Sequence, residues 1–396
     1  MTVDTIRFID RKLVKIFRDI LRMLSGKSRP LPPSPKTGDR ILIMKYWGLG
    51  NIIQASPTLK KIRQSCPDCQ ITFLTLSQNS GLYDNNGLYD RSLSLPMKSM
   101  IPFAWEVLKL IGKLRKQRFD WVIDLDPLTF FSESMAFLSG APCRAGFVRA
   151  EDQRSLYTHP VLFREDIHIC DVFQTVAHTL DAHNGDGQLI PIVLNQEEES
   201  FLDSFCRDHH IAQDDFLVGI NVNASEVAKE RRWPRERFAE LADRITNTNI
   251  SRVILLGSPS EREYVQKVAS QMTTKPIMAA GKTTLRQMIA LLGRCNLFIS
   301  NDSGPVHMAV AQGSPTVAIF GPETPERYGP RGSKHQVIYK GLPCSPCISF
   351  FNAKKVHCDN PTPPCIYQIT TDEIWEVVQP LLPTTSPKEN INSLLS

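Results

Sequence analysis

Leu297-Phe298-Ile299-Ser300-Asn301-Asp302-Ser303-Gly304-Pro305-Val306-His307 passes from a short apolar strand pattern directly into a helix start, and Gly313 and a second strand, Thr316–Gly321, follow it. A strand, a turn, a helix and another strand in that order form the repeating unit of a parallel sheet covered by helices. The turn also carries chemistry. Ser303, Gly304 and the helix N-terminus offer hydrogen-bond donors and the positive end of the helix dipole, which suits a phosphate. Asp302 is placed to accept from sugar hydroxyls, and His307 to steady the loop or reach the phosphate. An N-cap needs only Asp302 or Ser303, so His307 and the following Gly321-Pro322-Glu323 loop exceed what capping requires.

The same alternation extends in both directions. Strands at Arg40–Met44, Ile71–Leu76 and Trp121–Asp126 are interleaved with helices at Ala55–Ser65 and Trp105–Gln117. Beyond a hinge-like segment at Ile190–Leu194, strands at Phe216–Val222 and Val253–Gly257 join the two already quoted. Helices at Arg235–Thr246, Ser260–Met272, Thr284–Leu292 and Gly304–Gln312 separate them. The pattern predicts an α/β protein of two doubly wound Rossmann-like domains facing a cleft, with ligands at the carboxyl ends of the strands. The expected boundaries are a basic amphipathic helix over 1–25 and a proline-rich linker over 26–38. An N-terminal domain over 39–190, a C-terminal domain over 191–370, a helix over 371–383 and a tail over 384–396 follow.

Composition narrows the class. With 42% hydrophobic and 22% charged residues in 396, the chain is neither disordered nor collagen-like, and no apolar run approaches the roughly 18 residues of a spanning helix. A net charge of +5, from 46 basic and 41 acidic residues, is too small to imply nucleic-acid binding. Ten scattered cysteines and no secretory signal point to a reducing cytoplasm. Residues 1–25 place Ile6, Ile9, Leu13, Ile16, Ile20 and Leu24 on one stripe, flanked by six basic residues and three acidic ones. Two readings compete: a helix packing its apolar face on its own domain or on a partner, as amphipathic helices usually do, or one lying on the inner, anionic membrane surface.

Other loops that follow strands add candidates. Gly48-Leu49-Gly50-Asn51 allows a tight turn and close approach of a ligand to backbone amides, although Ile53 stands where a dinucleotide fingerprint needs its third glycine. Asn223-Ala224-Ser225, followed by Lys229, Arg231, Arg232, Trp233 and Pro234, suits a diphosphate or is a solvated charge cluster. In Gly257-Ser258-Pro259-Ser260-Glu261, Ser260 with Glu263 reads as a capping box, while Glu261 could hold ribose hydroxyls. Cys66-Pro67-Asp68-Cys69 reads as a turn. Cys344, Cys347, Cys358 and Cys365, with His357 beside them, could close a tetrahedral zinc site. Reduced thiols or a disulfide are the competing reading, because the second pair has six intervening residues.

Taken together these segments resemble glycosyltransferase family 9, the ADP-heptose:lipopolysaccharide heptosyltransferases, from about Arg40 to the low 370s. The resemblance rests on the glycine turn with Pro57 beyond it, Phe119-Asp120-Trp121-Val122-Ile123-Asp124, Arg231-Arg232-Trp233-Pro234, Gly281-Lys282-Thr283-Thr284-Leu285, and Asp302 to His307 with Phe320-Gly321-Pro322. It implies the GT-B fold and an inverting transfer without a required cofactor, from a nucleotide sugar, ADP-heptose, to a lipid-linked core glycan. It implies a donor held by Glu261 at the ribose, Thr283 near the adenine, Ser303 and Gly304 at the diphosphate and Asp302 at the sugar. Arg231 or Lys229 supplies the phosphate cation, with Gly50, Ser225 and His307 as further contacts. One position departs from the pattern. Members of the family carry an aspartate base where this chain has Asn51, and an amide cannot accept a proton near neutral pH. Asp124, Asp126 and Glu133 are the nearest substitutes along the chain, and water or the leaving phosphate could also take the proton. A slow or non-catalytic sugar-nucleotide binder is the alternative reading, and a GT-B-like epimerase a third.

Overall fold

The computed structural model describes residues 5, 8–24, 34–97, 100–150, 155–182, 187–224, 228–351, 356 and 358–384. Ile6, Arg7, Ser225, His357, most of the proline-rich segment and the tail beyond 384 lie outside these. The chain divides into two compact units, Met1–Ile190 and Pro191–Ser396.

In the first unit, β1 (Arg40–Met44), β2 (Gln70–Leu76), β3 (Arg91–Leu95), β4 (Trp121–Asp124), β5 (Cys143–Val148) and β6 (His159–Leu162) form one sheet in the order β3-β2-β1-β4-β5-β6. Every neighbouring pair is parallel. The central strands are apolar on both faces because helices cover both. Ile41, Leu42, Ile43 and Met44 of β1 and Val122 and Ile123 of β4 are fully buried. The glycine turn after β1 opens a helix earlier than expected: Leu49–Gln54 precedes Ser56–Ser65, with Ala55 at the break.

The second unit repeats the plan. Its strands are β7 (Phe216–Asn221), β8 (Ser251–Leu256), β9 (Ile277–Met278), β10 (Leu297–Asn301), β11 (Thr316–Ile319) and β12 (His335–Ile338). They are ordered β12-β11-β10-β7-β8-β9 and all parallel. Its core runs from Val218, Ile220 and Trp233 through Ile299 and Ile319 to Ile366, Ile374 and Val378, so the C-terminal helix Thr371–Val378 belongs to it. Both sheets have the doubly wound order, whose strand sequence reverses between β1 and β4 and between β7 and β10. Ligands of such sheets bind at the carboxyl ends of those two strand pairs.

The N-terminal helix Lys15–Leu24 docks on its own unit, against Phe130–Leu138, but with the opposite face to the one expected. Arg18 is buried and donates to Glu133 Oε2 at 2.9 Å, and Arg22 donates to Oε1 at 3.2 Å. Leu13, Ile16 and Ile20 of the apolar stripe are exposed. The buried carboxylate of Glu133 selects the basic face, because a charge taken out of water requires a partner. Among the described residues no helix is long and apolar enough to cross a membrane.

Candidate active site

In the second unit two buried asparagines tie together the loops that leave β7 and β10. Asn221 Nδ2 donates to the Asn223 carbonyl at 3.1 Å, Ser300 Oγ at 3.0 Å and Ser303 Oγ at 3.1 Å. Asn301 Nδ2 donates to the Val222 carbonyl at 3.0 Å, and its Oδ1 accepts from the Trp233 amide at 2.9 Å. Neither asparagine stood out in the sequence reading; the available signal was an amide ending each of two apolar strands that turn out to be neighbours. Trp233 itself is core. It is fully buried, edge-on to Phe238, and donates Nε1 to the Ile369 carbonyl at 2.9 Å.

This framework sets Asp302, Ser303 and Gly304 at the start of the helix Gly304–Ala311. Ser303 is extended, with φ −160°, and its hydroxyl is held by Asn221 and Ser300 instead of capping the helix. No side chain caps this N-terminus, so its positive end is open to an anion. Asp302 is buried and pairs with Arg231 Nη1 at 3.4 Å, with no hydrogen bond to its Oδ2. Of the two cations considered, Arg231 is therefore the one beside Asp302. Lys229 is exposed and lines a 430 Å³ pocket with Arg232, Arg235, Tyr264 and Cys358. Arg232 donates to the Ala224 carbonyl at 3.0 Å and stacks over Tyr264. Asn223, fully buried at the end of the β7 loop, leaves both side-chain polar atoms without a hydrogen-bond partner among the described residues.

His307 is buried in the first turn of its helix. The cap after β8 sits two residues before the expected one: Ser258, not Ser260, caps with Glu261, whose Oε2 accepts from the Ser258 amide and hydroxyl at 2.7 Å each. Glu263 instead pairs with Lys267 at 2.8 Å. Thr283 lies between the Gly281 turn, at φ +73°, and Thr284, which caps Leu285–Arg294.

In the first unit Gly48, at φ +79°, starts the helix bearing Gly50 and Asn51, and a Cβ on Gly48 would come within 3.2 Å of Asn51 Nδ2. Asp124 and Asp126 are both buried and engaged. Asp124 accepts from Tyr157 Oη at 2.6 Å and from the Asp126 amide at 2.9 Å. Burial and the adjacent Asp126 push its carboxyl up to about 7. Asp126 accepts from Lys45 Nζ and the Tyr46 amide, each at 2.5 Å, and from the Trp47 amide at 3.3 Å. It thereby pins the loop between β1 and the glycine turn. Glu133 is occupied by Arg18 and Arg22, and its Oε1 also accepts from the Leu156 amide at 2.8 Å.

Of the four cysteines considered for zinc, all are described, while His357 beside them lies outside the described residues. Cys344, Cys347, Cys358 and Cys365 are free thiols, and among the described residues no group of three or more His, Cys, Asp or Glu converges on a metal position. Cys66 and Cys69 form the expected turn, with the Cys69 amide donating to the Cys66 carbonyl at 3.2 Å.

Residues 107–356 match the family model described as glycosyltransferase family 9 (heptosyltransferase), which takes in well over half of the chain. The chain belongs to glycosyltransferase family 9. It is 25% identical over 310 residues to the lipopolysaccharide core heptosyltransferase OpsX of Haemophilus influenzae, covering 75% of this chain and 83% of that protein. A family 9 glycosyltransferase structure from Veillonella parvula superposes with a TM-score of 0.74 at 27% identity, covering 88% of this chain and 99% of the other. The ADP-heptose lipopolysaccharide heptosyltransferase II structure from E. coli superposes at 0.69 with 21% identity, covering 87% and 98%. As a member of the family, the protein is a glycosyltransferase with the GT-B fold.

Proposed function

We propose that the protein moves heptose from ADP-heptose onto a lipopolysaccharide core or related glycan, with inversion at the anomeric carbon. The observation that carries this reading is the uncapped helix start at Ser303 and Gly304 beside the Arg231–Asp302 pair. Together they offer a dipole and a guanidinium to a diphosphate and a carboxylate to sugar hydroxyls. Relatives named for heptose transfer support the choice of sugar. In the reaction an acceptor oxygen bonds to the anomeric carbon as the bond to the diphosphate breaks, and ADP departs with that electron pair. Arg231 and the helix N-terminus stabilise the charge developing on it, a contribution that is commonly the largest in such sites. Glu261 and Thr283 would hold the nucleoside end. Asn51 orients the acceptor hydroxyl without taking its proton, and the three nearby carboxylates are buried in other bonds. The proton then leaves on the departing diphosphate or to water. Isothermal titration of ADP-heptose, with acceptor-dependent ADP release as the activity readout, tests the reading. Asp302→Ala and Arg231→Ala should each weaken donor binding about tenfold or more; unchanged affinity in both would refute the site.

A further inference from the structure

The N-terminal helix is attached by its charged face. Asp10 accepts from the amides of Phe130 and Phe131 at 3.2 and 2.7 Å, Arg18 and Arg22 reach Glu133, and Arg18 stacks on the Phe130 ring at 4.3 Å. Five turns of chain are thus locked in one orientation, and that orientation presents Phe8, Leu13, Ile16, Phe17, Ile20 and Met23 outward, each between 46% and 86% exposed. Single exposed apolar residues need no explanation, but a contiguous helical face does. Charge decides what covers it. Asp10 is spent on the amides of the neighbouring helix, and Asp19 is ringed by Lys15, Arg18 and Arg22. Arg11 and Lys12 are left exposed at the rim, so the outward face is apolar with a positive border. Two copies of such a face repel each other, whereas an anionic lipid surface complements both features. Trp105 and Leu108, exposed on Met100–Gln117, add an interfacial aromatic and an aliphatic from a second helix packed on Phe130–Leu138.

We propose that residues 8–24 dock the enzyme on an anionic phospholipid bilayer, the outward face entering the headgroup boundary while Glu133 holds the inward face to the protein. Flotation of the full chain with phosphatidylglycerol-containing vesicles, and with phosphatidylcholine vesicles alone, tests this. The wild type should float with the former and not the latter. Ile16→Ser, Phe17→Ser and Ile20→Ser combined remove the middle of the outward face, and should reduce bound protein at least about tenfold while the chain still melts cooperatively. Arg11→Gln with Lys12→Gln should weaken vesicle affinity about 30-fold. Equal flotation of the serine variant and the wild type, or equal flotation with both lipids, overturns the proposal. So does a concentration-dependent dimer that the serine substitutions dissolve in a chain that binds no vesicles. Vesicle binding is read without donor, acceptor or turnover, so it stands or falls separately from the transfer reaction.

Discussion

Asn51 and Asn223 are amides with opposite roles. Asn51 is half-buried at the open end of β1 and can orient a hydroxyl but not deprotonate it. Asn51→Asp should therefore raise kcat, by about 10²-fold or more if proton removal limits the reaction, and add a low-pH limb in the ordinary carboxylate range to the rate profile. A flat profile with unchanged kcat would show that the proton already leaves by a route as good as a base. Asn223 is buried with both polar atoms unpaired among the described residues, an arrangement that costs stability. We expect a bound donor to satisfy it. Asn223→Ala should then hold or raise the melting temperature while weakening ADP-heptose binding about tenfold by calorimetry. A drop in stability with intact affinity would assign Asn223 to the fold instead.

At the scale of elements, buried carboxyls give the first unit a pH dependence. Asp124 is pushed up to about 7 by burial and Asp126, and Asp10 to about 6 by burial, against 3.8 for each in the unfolded chain. The folded state therefore holds protons the unfolded state has released, and both contributions to stability are lost as pH rises from about 4 through 7. Asp124→Asn can still accept from the Asp126 amide and donate to Tyr157, and it should narrow the gap in melting temperature between pH 5 and pH 8 by at least about 3 °C. The N-terminal helix is held by the buried carboxylate of Glu133 together with Asp10. Glu133→Gln takes from Arg18 and Arg22 the buried carboxylate they share and leaves Arg18 the part-exposed Asp19 at 2.9 Å, a loss of up to about 3–5 kcal/mol unless the helix lets go. Amide exchange over 15–24 should accelerate while β1 and β4 stay protected; unchanged exchange over 15–24 would mean that Asp10 and the remaining contacts suffice to hold it. These elements also show what could be read beforehand. β1 and β10 were plain in the sequence because central strands are apolar on both faces, and the turn at Asp302 was plain because its residues are consecutive. β3, β5, β6, β9 and β12 were missed: β3, β6 and β12 are half-solvated sheet edges with no alternation strong enough to read, β9 is two residues long, and Arg144 and Gly146 interrupt the apolar run of buried β5. Amphipathicity revealed two faces on the N-terminal helix, but which one docks is decided by Glu133, more than a hundred positions away.

At the scale of the molecule, each unit closes its own core, and Glu261, Thr283, Arg231, Asp302, Ser303 and Gly304 all lie on the second. The two loops that present the last four are tied by Asn221, Asn301 and Trp233 to β7, β10 and the Ile369 carbonyl, all within that unit. Its C-terminal helix buries Ile374 and Val378 in the same core, so a cut that removed it would open the core beneath the Trp233 anchor. A fragment spanning residues 191–384 should then melt cooperatively and be stabilised by ADP, by about 2.7 kcal/mol at a hundredfold excess over Kd. A fragment spanning 1–190 should show no ADP shift yet float with anionic vesicles. If ADP stabilises the whole chain but not the fragment 191–384, the nucleotide depends on residues of the first unit. The open helix start at Ser303 would then be insufficient as the donor site, because Glu261, Thr283, Arg231, Asp302, Ser303 and Gly304 are all present in that fragment.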